Sequence, residues 1–258
     1  MPHPTPSPYD EIAPMYHHLW ADWYLPAALP ALDKLFFSRV PSGAHVLDLC
    51  CGSGHVTKEL VARGYRVTGV DNSAELIRIA RSELRAADFC VQDARELHLN
   101  ECCDAVLCTF DSLNHIPDIA GLRMVFERVR QALKPGGLFV FDMNLEEAYS
   151  ADLREWAVNI TDRTVGLVRG TFDAAAKTAR TELIWFVRAN GDDSNRNDLW
   201  KQHRSTIEQQ CFPQSEILES LASAGFRHIE CVPSRDAGVT SDLGFGRVFF
   251  VTNAPVHE

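Results

Sequence analysis

The chain has 258 residues, 46% hydrophobic and 23% charged, with 15 glycines and 13 prolines. That is enough for one large domain or one domain with an insertion, and it excludes collagen, wholesale disorder and coiled coil. The 25 Lys and Arg against 35 Asp and Glu leave a net charge of −10 with no basic stretch, so a broad phosphate-gripping footprint on nucleic acid or anionic membrane is disfavoured.

MPHPTPSPYD has neither the basic nor the apolar character of a leader, and no apolar run approaches the roughly 18 residues of a span. A cytoplasmic protein without a membrane partner is expected. The cysteines at 50, 51, 90, 102, 103, 108, 211 and 231 include no CxxC and read as reduced thiols.

Pro2, Pro4, Pro6 and Pro8 predict an extended, disordered lead-in over 1–8, with order beginning near Tyr9. Residues 9–37 are rich in aromatics, Leu and Ala and interrupted by Pro14, Pro26 and Pro30, which predicts an N-terminal cap of short helices. HVLDL (45–49) reads as a buried strand, 55–63 as a helix, and RVTGV (66–70) as the second strand. Asn72 and Glu75 have capping-box spacing ahead of a helix whose Leu76, Ile77, Ala80 and Leu84 form one stripe. DFCVQ and DAVLCTF supply two more strands. Asp118 caps a helix with Ile119, Leu122, Phe126, Val129 and Leu133 inward, and LFVFDM (138–143) is the fifth strand. Strands alternating with helices predict a parallel sheet covered on both faces, with right-handed crossovers.

After about Glu147 the pattern changes to three long strands, 164–173, 178–189 and 199–211, with 190–197 the clearest loop. Joined without helices, they should be antiparallel. Thr181, Leu183, Trp185 and Val187 share one face of the middle strand. Trp200, Gln202, Arg204, Thr206, Glu208 and Gln210 share a face of the last that is too polar for core, so it meets water or a pocket. A helix over 214–224 and strands 227–233 and 247–253 complete the chain. The expected organisation is a core over 9–147 and 212–254 with an antiparallel insertion over 148–211, which covers substrate or forms a homodimer.

In an open parallel sheet, ligands bind beyond the carboxyl ends of the strands. The first strand runs through Asp48 into Cys50-Cys51-Gly52-Ser53-Gly54 and then a helix. Gly52 and Gly54 let backbone approach a ligand, although a tight turn alone would use the same residues. Asp71, at the end of the second strand, can accept both hydroxyls of a ribose or simply open a helix. Gln92-Asp93-Ala94 can bracket an adenine edge, or Asp93 can serve as a cap. Thr57 stands where the dinucleotide fingerprint has its third glycine, and Asp48 suits an ammonium better than a diphosphate. An NAD-dependent oxidoreductase is therefore the weaker nucleoside-binding reading.

VLDLCCGSG resembles the first motif of class I S-adenosylmethionine-dependent methyltransferases, usually VLDxGCGTG, and Asp71, Gln92-Asp93-Ala94 and LKPGGLFVFD occupy the places of later motifs. YDEIAPMYHHL, FDSLNHI, the insertion and GRVFFVTN extend the resemblance over 9–253 to bacterial small-molecule methyltransferases, including amino-sugar N,N-dimethyltransferases. It implies a Rossmann-like α/β fold: a seven-stranded, mostly parallel sheet in order 3-2-1-4-5-7-6, strand 7 antiparallel, and a β insertion after strand 5. It further implies S-adenosyl-L-methionine as cofactor, S-adenosyl-L-homocysteine as product, and in-line methyl transfer to nitrogen or oxygen of a small molecule.

By residue, the resemblance places Asp48, Gly52 and Gly54 near the methionine moiety, Asp71 on the ribose, Asp93 and Ala94 at the adenine, Phe110 at the pocket floor and Tyr16 over the cofactor. Cys50, Ser53, Asn72 and Tyr24 complete the expected contacts, Cys50 in place of the family's usual first glycine. The candidate catalytic residues are His115 as base or acceptor-orienting group, Asp111 as holder of an ammonium and Tyr16 as a phenol on the acceptor. Each has a plainer use, as loop histidine, turn cap and aromatic anchor respectively. His17 and His18 stand where the relatives often have Asp. No metal is expected, and Cys50 and Cys51 read as packing. The chain lacks an NPPY motif and a Pro-Cys nucleophile, so a small-molecule acceptor is expected rather than nucleic acid. A non-catalytic module that keeps the S-adenosylmethionine pocket is the other alternative.

Overall fold

The computed structural model describes residues 7–150, 155–161, 164–188 and 200–256. The loop expected over 190–197 and most of the lead-in lie outside the described residues. Helix α1 (Pro8–Met15) begins within the stretch expected to be extended. Ser7 is its cap, accepting from the Tyr9 amide while Asp10 takes the Ser7 amide in return, and a proline at the first helical position forfeits no hydrogen bond. Nor do the prolines divide this region into separate short helices. Wide π turns at Tyr16–Ala21 and Asp33–Phe37 flank α2 (Asp22–Leu32), which holds Pro26 and Pro30, so the missing N–H groups are absorbed without breaking the path.

The core runs β1 (His45–Leu49), α3 (His55–Ala62), β2 (Arg66–Asp71), α4 (Ala74–Glu83), β3 (Asp88–Val91), β4 (Cys103–Cys108), α5 (Ile119–Ala132) and β5 (Leu133–Asn144). After α6 (Glu146–Ser150) and the insertion it resumes with α7 (Gln214–Ser223), β10 (Arg227–Pro233) and β11 (Arg247–Asn253). The sheet order is β10-β11-β5-β4-β1-β2-β3, with β11 antiparallel to both neighbours. This is the order expected from the resemblance, β10 and β11 being its sixth and seventh strands. One face carries Phe126, Phe139, Phe141 and Phe250, the other Phe36, Leu60 and Phe249, as a sheet covered on both sides requires.

Two local expectations are corrected. Ser73, not Asn72, caps α4, its hydroxyl accepting from the Leu76 amide. Leu133 belongs to β5 rather than α5, and the Pro135-Gly136-Gly137 stretch is taken up in a bulge of the β4–β5 ladder.

The insertion forms a second, antiparallel sheet, β6 (Ala157–Ile160), β7 (Thr164–Asp173), β8 (Thr178–Arg188) and β9 (Trp200–Gln210), in that order. Neither β6 nor α6 was anticipated. Leu183, Trp185 and Ile207 pack its inner face onto Ile12 and Met15 of α1. Of the polar face, Gln202 and Arg204 are exposed to water, while Thr206, Glu208 and Gln210 also line a cavity over the strand ends, so both uses open to it are found. All eight cysteines are free. Among the described residues no helix is long and apolar enough to cross a membrane.

Candidate functional site

A cavity of about 1010 Å³ opens over the carboxyl ends of β1, β2 and β4 and is walled by α1 and the inner face of the insertion. It exceeds the roughly 300–1,000 Å³ of typical ligand pockets, leaving room for a nucleoside and a second small molecule. Cys50, Gly52, Asp71, Asn72, Asp93, Ala94, Phe110, Asp111, Tyr16 and His115 all line it. Asp48, Ser53 and Tyr24 line a small adjoining recess that shares Tyr16, Cys50 and Phe110. Gly54 reaches neither: a Cβ there would meet Ala80 at 3.2 Å, so it serves the close approach of α3 to α4 and the left-handed turn into α3.

The loop after β1 is left-handed at Cys50 (φ 58°), Gly52 (φ 54°) and Gly54 (φ 85°), and the loop after β4 at Phe110 (φ 64°) and Asp111 (φ 46°). Three of these five are not glycine, so backbone strain concentrates around the cavity. A Cβ on Gly52 would lie 3.0 Å from the Tyr16 ring, so the glycine makes the space that Tyr16 fills.

Asp71 binds the Gly52 and Ser73 amides, each at 2.8 Å, one through each oxygen. The same carboxylate thus orders the glycine loop and still offers its remaining lone pairs to the cavity. Burial pushes its pKa up, against those amide bonds. Asp48 is 2% exposed and accepts from the Thr57 hydroxyl at 2.5 Å. Burial raises it to about 7 against the Thr57 hydrogen bonds, and among the described residues the charge acting on it is that of Asp71, a like charge. A buried carboxyl without a cation is a site that a ligand's positive group would fit. Thr57, which marked a missing glycine in the sequence, is the residue that orients it.

Asp93 is engaged by its own neighbour: the Arg95 side chain and amide bind it and hold its pKa down, and it caps the short turn that carries Ala94. The capping alternative for Asp93 is realised, while its position on the cavity wall stands.

At the far end, the sequence expectations for His115 and Asp111 are joined by residues it missed. His115 Nδ1 lies 3.1 Å from the Glu208 carbonyl, which places the proton on Nδ1 and leaves Nε2 to accept from the Tyr9 hydroxyl at 3.0 Å. Burial lowers the His115 pKa, only partly opposed by Asp111, so the ring is neutral. Asp111 is bound by Arg247 and by the Gln209 amide, which also reaches His115 at 3.3 Å. Burial works against its charge, but the Arg247 guanidinium and the Gln209 amide outweigh it and hold its pKa below the ordinary carboxylate range. Arg247 also binds Asp142, which accepts in turn from the Tyr24 hydroxyl at 3.3 Å. Tyr24 stacks on Phe110 (centroids 4.2 Å apart) and takes the Phe110 amide at 3.0 Å, so its phenol is consumed in shaping the floor.

Asp142, Gln209 and Arg247 had no assigned role in the sequence, while Tyr9, an alternative to Tyr16 for closing the pocket, is found on His115. Two of them carried a signal: Asp142 in LFVFDM and Arg247 in RVFFVTN are lone charges in apolar strands, which must be paired. Phe249 faces Asp142 across the β5–β11 ladder, so Arg247, two residues away, is its diagonal neighbour. His17 binds Glu83 at 3.0 Å, on the side of α4.

Residues 46–137 match a family described as a methyltransferase domain. The dTDP-3-amino-3,6-dideoxy-alpha-D-glucopyranose N,N-dimethyltransferase of Streptomyces fradiae is 31% identical over 212 residues, 80% of this chain and 79% of that one. Two solved structures share the fold. The CcbJ methyltransferase of Streptomyces caelestis has a TM-score of 0.76 at 19% identity, covering 97% of this chain and 99% of its own. An S-adenosylmethionine-bound amino pentose methyltransferase of Micromonospora echinaspora has a TM-score of 0.71 at 23% identity, covering 93% and 96%.

Proposed function

This chain belongs to the S-adenosylmethionine-dependent methyltransferases, and on that footing we propose that it methylates a nitrogen or oxygen of a small molecule held at the His115 end of the cavity. The observation that carries this is a single cavity of about 1010 Å³ whose lining includes Gly52 and Asp71 together with Tyr9, His115 and Gln209. The name of the Streptomyces fradiae relative supports an amine-bearing acceptor. When bound, S-adenosylmethionine supplies a methyl group on a sulfonium for in-line displacement and leaves as S-adenosylhomocysteine.

Asp71 takes the ribose hydroxyls, Asn72 lies beside it, and Ala94 with the Asp93 turn lines the adenine. The Cys50–Gly52 backbone, with Ser53 behind it, borders the methionine moiety, and Asp48 draws its ammonium. Phe110 floors the site and Tyr16 closes over it. These residues align and desolvate rather than form bonds, which is where such a displacement gains most. Neutral His115 supplies a basic Nε2: as the new carbon–nitrogen or carbon–oxygen bond forms, the acceptor's proton passes to that nitrogen, and Asp111 stabilises the resulting imidazolium. Asp111, already bound by Arg247 and Gln209, positions His115 rather than acting as base. Tyr9 must yield its place on Nε2 to the acceptor. The protein acts in the cytosol, on a small molecule rather than on nucleic acid or membrane.

Titration calorimetry with S-adenosylmethionine and S-adenosylhomocysteine, wild type beside Asp71→Ala, followed by methyl transfer to an amine and alcohol panel, tests the reading. Binding lost in the variant and turnover lost in His115→Ala support it. Absence of binding by the wild type would sink it.

A further inference from the structure

At the amino end of the core sheet, away from the cavity, His45 opens β1 and Cys102-Cys103 lead into β4. Neighbouring residues of a regular strand point to opposite faces. Cys102, however, precedes the strand and follows Glu101, whose backbone is left-handed (φ 40°), and this turn brings the two sulfurs to 3.4 Å. The two thiols and the His45 ring form a group whose donor atoms all lie within 4.8 Å of one another. His45 and Cys102 are 57 positions apart, so the amino-acid sequence alone pointed to no metal. The backbone that carries these donors is fixed: Asp104 accepts from the His45 amide at 2.8 Å and from Lys134 at 2.6 Å, and the Glu101 and Cys102 amides donate to the Gln131 and Ala132 carbonyls. The imidazole is fixed as well. Its Nδ1 lies 2.9 Å from the Cys102 carbonyl, which can only accept, and its Nε2 lies 2.9 Å from the Thr68 hydroxyl, which can donate or accept. Cys103 is buried, whereas His45, Thr68 and Cys102 are half-buried.

We propose that His45, Cys102 and Cys103 bind a thiophilic divalent ion of the zinc class. Two thiolates, one imidazole and a fourth position left to solvent are a donor set that zinc takes, and sulfur selects such an ion over magnesium or calcium. Two bonds of about 2.3 Å at the tetrahedral angle set the sulfurs about 3.8 Å apart, so from 3.4 Å the thiols need part by only a few tenths of an ångström. On binding, the two thiols release their protons to solvent as two metal–sulfur bonds form. Nδ1 exchanges the Cys102 carbonyl for the ion, and the ring proton passes to Nε2, which then donates to Thr68. Thr68 thus already stands where an outer partner orients a ligating histidine. The ion and two thiolates are together neutral, so the half-buried site gains no net charge. The ion ties the start of β1 to the start of β4. With β1 five residues long at about 3.3 Å each, it lies roughly 16 Å from the cofactor loop, as a site separate from methyl transfer.

Cobalt(II) titrated into the reduced, metal-free full chain tests this, read by the thiolate-to-cobalt charge-transfer band and the visible bands of a tetrahedral ion. Wild type is expected to saturate at one equivalent. Cys102→Ser is expected to lose the charge-transfer band, and Thr68→Val to bind roughly tenfold more weakly. Cys90→Ser, which removes an exposed thiol on β3, is expected to bind as the wild type does. A wild type without a saturable band, or a Cys102→Ser variant that keeps the wild-type band, would overturn the proposal. If Cys102→Ser does not fold, X-ray absorption of the zinc-loaded wild type decides: two sulfurs and one imidazole around the ion support the site, and any other sulfur count refutes it.

Discussion

The end of the cavity assigned to the cofactor is made by short loops following β1, β2 and β3, each bringing its own polar residues from within a few positions. The acceptor end is assembled from α1, the loop after β4, β9 and β11, and its partners Asp111 and Arg247 lie 136 positions apart. Local construction gives a pocket whose parts can be replaced one at a time. Long-range construction gives one in which a single residue supports several others.

The comparison is tested first by Asp71→Ala. It removes a charged acceptor for two hydroxyls, at about 1.5–3 kcal/mol each, and should weaken cofactor binding at least about 100-fold by calorimetry. Unfolding of the apo variant should change far less, as a local site requires. Arg247→Met is the converse. It strands two buried carboxylates and should cost about 3–5 kcal/mol in urea unfolding, largely recovered by adding Asp111→Asn and Asp142→Asn. Equal losses in the single and the triple variant would break the picture of one supporting cation.

Asp48→Asn should stabilise the apo protein while abolishing affinity for the cofactor. A carboxyl raised from 3.8 to about 7 by burial gives stability that is complete below its unfolded pKa and lost as pH rises through 7. The gain from removing it should be at most about 4 kcal/mol above pH 7 and fade toward pH 4, read by thermal unfolding at each pH. In the wild type, cofactor affinity should rise with pH through about 7 and then level, since the ligand's ammonium requires the charged form. Gln209→Leu should have the smallest effect on stability, leaving cofactor affinity intact and raising KM for the acceptor. A fall in cofactor affinity instead would mean that the two ends are not separable.

The same contrast governs what the amino-acid sequence reveals. Three strands of the insertion and those of the core were legible to within a residue or two, because each has a sustained apolar pattern and a turn residue at its end; the exception is the start of β5, which lies five residues earlier than expected, at Leu133. Asp71, Gly52 and His115 were legible because they sit in loops at strand ends, where chemistry collects. Gln209 was not. It is one glutamine in a polar strand, and only the pairing of Ala179 with Gln209 turns it to the inner face, opposite the polar face to which its neighbours drew attention. Short β6 and α6 have too few residues for any period to emerge. Tyr24 is expected among the cofactor contacts from the resemblance alone. Its hydroxyl is instead spent on Asp142 and the Phe110 amide, a pairing that no local pattern encodes.

The latch of the amino-terminal helix carries a kinetic consequence. Asp10 accepts from the Ser73 hydroxyl at 2.7 Å and the Glu75 amide at 3.2 Å, and Ser7 binds Asn72 at 3.0 Å, so α1 is fastened to the start of α4 directly over Asp71. Release past this edge of the cavity requires these bonds to open together, which ties residence time to the helix as well as to the pocket. In stopped-flow release of S-adenosylhomocysteine, Asp10→Ala should quicken departure by roughly tenfold, the loss of about 1.4 kcal/mol of latch. The strength of this clasp then sets how soon spent cofactor makes way for the next round.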